Sequence, residues 1–285
     1  MFLQRGHDVH GRNPKLPMVT LAEAYTRQKR RAGGDWHARI TLGSTVAVED
    51  DDERLIKGYS IQKLALACAL LAKADRGELD PGRRVRLETA DVIGGSGLYH
   101  LQPVHGDELT VAGVLTALLL VSDNTAVRLC GRLVPGPEVN EILASLGFAR
   151  TRVATTADPA RFFLGDTTAR ETHDLLARLA AGTLLSPQSS AFMLGVLRAP
   201  AGYHDGVRRD LSGPARARVA TKHGADRDTR GAARHEAGVF FAEDGTPAVV
   251  YSLFADGLPA AADYGPTHPA VRAQAALGRI MLGSC

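Results

Sequence analysis

Cysteine is scarce. Cys68, Cys130 and Cys285 are the only three in 285 residues, far apart and without metal-ligand spacing. Neither a disulfide scaffold nor a zinc site organises the chain. Cys68 and Cys130 fall in apolar helical contexts and read as buried free thiols rather than a bridged pair. No apolar run reaches the roughly 18 residues a spanning helix needs, so no membrane partner is expected. An excess of one charge is missing as well: 34 Lys and Arg stand against 31 Asp and Glu, a net of +3. Aromatics make up only 5%, and no basic stripe interleaved with them offers itself to nucleic acid. The opening MFLQRGHDVHGRNPKLP has no apolar h-region and no small-residue cleavage site, so a cytoplasmic protein is expected. Repeats, low-complexity tracts and Pro-rich linkers are absent too. What remains is ordinary for a globular chain, 45% hydrophobic and 23% charged, and long enough to bury a core without staples.

The chemistry begins at Ser60. In the run Ser60-IQKLALACALLAKA-Asp75, Ile61, Leu64, Ala67, Cys68 and Leu71 recur at helical spacing, which predicts a buried or half-buried helix. Ser60 takes the N-cap or first turn, and Lys63, three residues on, shares its face. A hydroxyl is a poor nucleophile until a nearby base takes its proton. A lysine can be that base only where burial or another cation keeps its amine neutral, and the positive end of a helix pushes the same way. Alone, Ser-x-x-Lys is a weak signal and reads first as a capping serine and a solvated lysine.

Residues 1–19 read as a lead-in and 20–285 as one domain, with an α/β part over about 20–60 and 200–285 and a helical part over about 61–199. Thr20 to Arg31 is predicted helical and Gly33-Gly34 ends it. His37–Val48 reads as one strand and Arg54–Tyr59 as its partner, a hairpin turning at Asp50-Asp51-Asp52. Gly94-Gly95-Ser96-Gly97 is a turn or the wall of a cleft. Two Leu-rich helices, Thr110–Val121 and Thr125–Leu133, are interrupted by Ser122-Asp123-Asn124. Asp and Asn prefer local backbone bonds to helix interiors, so they shape a turn that aims Ser122. Arg150–Asp166 lacks periodicity and reads as a long loop. Thr167-Thr168 caps the next helix, with Glu171 placed for a capping box. Val219–Gly224, Ala237–Phe241 and Pro247–Phe254 read as strands and Pro269–Leu282 as a closing helix. Strands at both ends and helices between predict an α+β fold, an antiparallel sheet flanked by helices with an inserted all-helical subdomain.

Three signals now stand in order: Ser60-x-x-Lys63, Ser122-Asp123-Asn124 and Lys222-His223-Gly224. Together they resemble the class A β-lactamase-like family of serine penicillin-recognising enzymes. Gly97-Leu98 through Leu109-Thr110, Thr167-Thr168 and His268-Pro269-Ala270-Val271 extend the likeness over roughly residues 38–283. The resemblance implies roles. Ser60 attacks an acyl carbon, Lys63 is its base or proton relay, and Ser122 hands a proton to the leaving group under the charge of Lys222. Asn124 holds Lys63 or the substrate amide. The backbone N–H groups of Ser60 and Ala225 form the oxyanion hole. His223 and Gly224 bind substrate, and Tyr99 is a candidate for the cleft mouth.

Two departures matter. The family's β-lactamases carry a water-activating Glu on the loop before the Thr-Thr helix, with Asn four residues on. Here residues 150–166 contain neither, and Asp158 is the candidate stand-in. Second, His223 replaces the threonine that helps bind the substrate carboxylate, and histidine titrates near neutral pH. A changed substrate is the simplest inference, with Arg227, Arg230 or Arg234 available to pair an acidic group. His100, His105 and His235 have no ligand spacing, and neither metal nor cofactor is expected. The function expected is a serine acyl-hydrolase or acyltransferase acting on an amide, lactam, ester or thioester, a small-molecule substrate such as a specialised metabolite. The alternatives are a true β-lactamase, a DD-peptidase, or a non-catalytic penicillin-binding sensor.

Overall fold

The computed structural model describes residues 20–285, so the 1–19 lead-in lies outside the described residues. Helix α1 (Leu21–Ala32) is opened by a reciprocal capping box. Thr20 Oγ1 accepts from the Glu23 amide and Glu23 accepts from the Thr20 amide at 2.9 Å. Gly33, at φ 73°, ends it. Strands β1 (Asp35–Leu42) and β2 (Thr45–Asp50) follow, then β3 (Ile56–Lys57), α2 (Gln62–Asp75), β4 (Arg84–Arg86) and β5 (Glu108–Thr110). Helices α3 (Val111–Leu120), α4 (Asn124–Leu133) and α5 (Gly136–Ser145) lead to β6 (Arg152–Thr155) and β7 (Phe162–Thr167). Then come α6 (Ala169–Ala180), α7 (Pro187–Arg198), the single turn α8 (Gly213–Arg216), β8 (Val219–Asp228), β9 (Gly231–Phe241), β10 (Pro247–Asp256) and α9 (Pro269–Leu282).

The main sheet has the order β2-β1-β10-β9-β8, with every pairing antiparallel. Chain beginning and chain end therefore close one sheet, and the helices between them pack on one of its faces. The other face carries α1 and α9 over a core that includes Tyr25, Trp36, Phe240 and Leu277. In the helical block α2 is buried almost all round, from Gln62 to Ala72, as a helix apolar on every side must be. Cys68 and Cys130 are buried there as free thiols.

Four expectations change. The predicted strand over 37–48 is two strands, because Gly43 at φ 56° turns the chain between β1 and β2. Of Arg54–Tyr59 only Ile56–Lys57 is a strand, and it pairs with β7 in a separate sheet of order β3-β7-β6. The supposed loop over 150–166 is mostly that hairpin, β6 with β7. A register shift between Arg152 and Ala154 breaks the alternation that would have revealed it. Finally, Thr168 caps α6 as expected, but the Glu171 carboxylate reaches the Arg150 amide and the Thr151 hydroxyl rather than closing the box, and so ties β6 to α6.

Candidate active site

Ser60 is not an N-cap. It sits in a 3₁₀ turn, Tyr59–Ile61, that leads into α2. Tyr59 is held at φ 44°, a conformation costing a non-glycine residue about 1 kcal/mol or more. Its ring lies 5.7 Å from that of His235. His235 Nδ1 accepts from the Ala255 amide, so Nε2 carries the hydrogen and donates to Lys57 O at 3.1 Å. Burial pushes this imidazole down to about 4, and it stays neutral. The Gly58 amide donates to Gly165 O at 3.0 Å, fastening the turn to β7. On its other side lies β8. A Cβ on Gly224 would stand 2.9 Å from the Ile61 amide and 3.1 Å from Gly58 O, so only glycine lets this strand approach the turn.

Lys63, fully buried, donates to Ser122 O at 2.6 Å, Asn124 Oδ1 at 2.8 Å and Ser122 Oγ at 3.1 Å. Lys222, also buried, donates to the same Ser122 Oγ at 3.0 Å and to His223 O at 2.8 Å. Burial pushes the Lys63 amine down to about 7, against the pull of nearby Asp123. Lys222 is driven well below its ordinary value by burial and by Lys63. A hydroxyl has two acceptor positions and one hydrogen. With both amines donating to Ser122, its own hydrogen is the group left to offer.

The Ser122 turn is built by its neighbour. Asp123, fully buried, caps α4 through the Ala126 amide and accepts from the Leu98 and Tyr99 amides at 2.6 and 2.9 Å. A Cβ on Gly97, at φ 110°, would strike that carboxylate at 2.2 Å. Asn124 donates to Gly94 O at 3.0 Å. The Gly94–Gly97 loop is therefore the wall of a cleft rather than a plain turn, and Gly95 and Ser96 face the opening.

That cleft, about 960 Å³, brings together Ser60, Ser122, Asn124, His223 and Ala225. His223 stacks on Tyr203 with ring centres 3.9 Å apart. Contrary to the expectation of near-neutral titration, burial and the two lysines hold it well below the usual histidine range. Four candidates lie elsewhere. Tyr99 is buried, 8% exposed, beneath the loop rather than at the mouth, because Asp123 pulls its amide inward. Asp158 is exposed at the hairpin tip, 3.4 Å from Arg161 and outside the cleft lining. Arg230 pairs with Asp256 at 2.8 Å outside this cleft. Arg234 spends its guanidinium on the carbonyls of Asp226, Ala233 and Asp263 and lies 4.3 Å from the Tyr264 ring. Sequence reasoning missed Arg128 and Phe163, which line the cleft from α4 and β7. Their signal was present: Arg128 follows the Ser-Asp-Asn turn by one helical turn, and Phe162-Phe163 is the one paired-phenylalanine step in the 150–166 segment. Among the described residues no group of His, Cys, Asp and Glu is placed to hold a metal ion.

A half-buried serine one helical turn before a buried lysine, a second serine under two amines and a strand edge beside the first serine define a serine hydrolase of the β-lactamase type. The chain belongs to the Beta-lactamase enzyme family, whose model it matches over residues 21–283. Its fold is that of class A β-lactamases. A β-lactamase from Sphaerobacter thermophilus superposes with TM-score 0.74 at 24% identity, over 93% of this chain and 95% of that one. One from Chitinophaga pinensis gives 0.78 at 17%, over 92% and 98%. One from Xanthomonas campestris gives 0.78 at 20%, over 93% and 100%. No curated protein matches the chain by sequence.

Proposed function

We propose that the chain is a serine acyl-hydrolase or acyltransferase that opens an amide, lactam, ester or thioester of a specialised metabolite through an ester on Ser60. The observation that carries it is the convergence of Lys63 Nζ and Lys222 Nζ on Ser122 Oγ, at 3.1 and 3.0 Å, in the cleft that holds Ser60. With its amine neutral, Lys63 gives two hydrogens to Ser122 O and Asn124 Oδ1 and keeps a lone pair for a hydroxyl proton. Ser60 Oγ attacks the acyl carbon, and its proton passes to that lone pair. As the bond to nitrogen, oxygen or sulfur breaks, Ser122 donates its hydrogen to the leaving atom and is reprotonated from Lys63. Lys222 keeps the Ser122 oxygen from accumulating charge. The Ser60 and Ala225 amides receive the developing oxyanion, each donor contributing about 3 kcal/mol.

The fate of the ester depends on β6–β7. The hairpin lines the cleft with Ala154, Phe162, Phe163 and Leu164, and residues 150–166 hold no Glu. This supports an acyl group with an apolar face and an acceptor other than water. Arg128, without an ion pair among the described residues, is available to an acidic substrate group. A second reading, β-lactam hydrolysis, is favoured by Asp166, which lines the cleft from the same hairpin and can orient a water. Nitrocefin separates the two. A stalled acyl-enzyme, with transfer from a simple thioester abolished in Ser60→Ala, supports the first reading. Sustained turnover lost in Ser60→Ala supports the second. Ligand binding unchanged in Ser60→Ala with no acylation contradicts both and favours a non-catalytic sensor.

A further inference from the structure

A second cavity, of about 650 Å³, shares Lys57 and Asp166 with the Ser60 cleft. Its floor is one end of the main sheet. There Asp35, opening β1, stands directly opposite Asp256, closing β10. Like charges on one rung repel. The guanidinium at this end, Arg230, is divided between Asp256 at 2.8 Å and Asp228 at 3.6 Å. Asp35 has no ion-pair partner among the described residues. Asp256 is 7% exposed, and its Oδ1 is buried with no hydrogen-bond partner among the described residues. Two carboxylates on one rung share a single guanidinium that reaches only one of them, so this end is short of positive charge. The facing wall, residues 54–57, carries Arg54 and Lys57, neither ion-paired among the described residues. Elsewhere in the lining Lys29 pairs with Asp50 and His37 with Asp51, and Asp166 stands opposite Lys57, so Asp35 and Asp256 at the sheet end and Arg54 and Lys57 on this segment are the charges left for a ligand. With no metal-binding cluster among the described residues, an organic ion matches it better than a metal.

We propose that this cavity is a second ligand site, taking a small zwitterion whose ammonium or guanidinium end meets Asp35 and Asp256 and whose carboxylate end meets Arg54 and Lys57. The site does not depend on Ser60 chemistry. It is tested with L-arginine as probe and agmatine, which lacks the carboxylate, as comparator, by calorimetric titration of the whole protein. Arginine binds saturably, with a dissociation constant in the millimolar range or tighter. Asp35→Asn removes a charge without a partner, leaves the fold intact and weakens arginine about tenfold. Agmatine binds more weakly than arginine, and Lys57→Met narrows the difference. Acylating Ser60 leaves arginine binding in place. The proposal is overturned by the absence of saturable arginine binding, by equal affinity in Asp35→Asn, by equal affinity for agmatine, or by displacement of arginine on acylation, which would put the probe in the Ser60 cleft.

Discussion

In the proposed reaction, burial is what makes a base of Lys63. Its amine is pushed down to about 7 chiefly because water is excluded. Below that pH the ammonium cannot accept a proton, and above it the amine is free. The acylation rate therefore rises about tenfold per pH unit up to about pH 7 and levels off above. Stopped-flow acylation across pH checks this, and a flat profile speaks against Lys63 as the base. Lys63→Met lowers the same rate about 10²–10⁴-fold. Gly224→Ala tests the approach of β8 to the Ser60 turn. Its methyl group meets backbone at 2.9 and 3.1 Å, so acylation falls sharply and stability drops by about 1–3 kcal/mol. An alanine variant with wild-type acylation would show that the strand and turn move apart freely. At this scale the Ser-x-x-Lys and Ser-Asp-Asn motifs were legible as candidates from residue type and spacing alone. The sequence could not show that Lys222 and Lys63 share one hydroxyl, because that contact joins residues far apart in the chain.

Among the elements, α4 and the β6–β7 hairpin shape the cleft. Asp123 begins α4 and also holds the Leu98 and Tyr99 amides from a fully buried position. Asp123→Ala leaves three amides without their acceptor and destabilises the protein by about 2–4 kcal/mol. Chemical denaturation measures that loss, and a change under about 0.5 kcal/mol would mean that water replaces the carboxylate. Phe163 is 63% exposed at the cleft wall. Phe163→Ala leaves stability within about 0.5 kcal/mol while raising KM several-fold for substrates with an apolar acyl group. Unchanged KM would remove Phe163 from recognition. The helices were legible because their periodicity and caps are local: Thr20, Thr110, Thr168 and His268 each cap the helix expected. The hairpin was not, because its register shift and the polar tip around Asp158 interrupt alternation. The first half of β9 was hidden too. Its Arg234, His235 and Glu236 are buried polar residues, satisfied largely through distant partners.

Across the whole molecule, strands from both chain ends enclose the helical block, and the order of elements in the sequence already implied it. What the order could not supply was the buried polar join between the sheet and the segment before α8. Glu236 on β9 accepts from Thr221 Oγ1 at 2.8 Å and from the Val207 amide at 3.0 Å, sealed from solvent. Burial pushes its carboxyl up to about 7 from an ordinary value of 4.5. Between those two pH values the folded chain binds more protons than the unfolded one, so this group lowers stability as pH rises, and the loss is complete above about 7. Urea midpoints of wild type and Glu236→Gln at pH 5 and pH 8 isolate the effect. The wild type loses stability relative to the variant as pH rises, and parallel midpoints would exclude it. The most direct measurement concerns Ser60 itself: intact mass and peptide mapping after exposure to a β-lactam acylating probe. One adduct is expected, on the peptide bearing Ser60, slowed in Lys63→Met and absent from Ser60→Ala. An adduct on any other residue, or none at saturating probe, would contradict the assignment of that hydroxyl as the nucleophile.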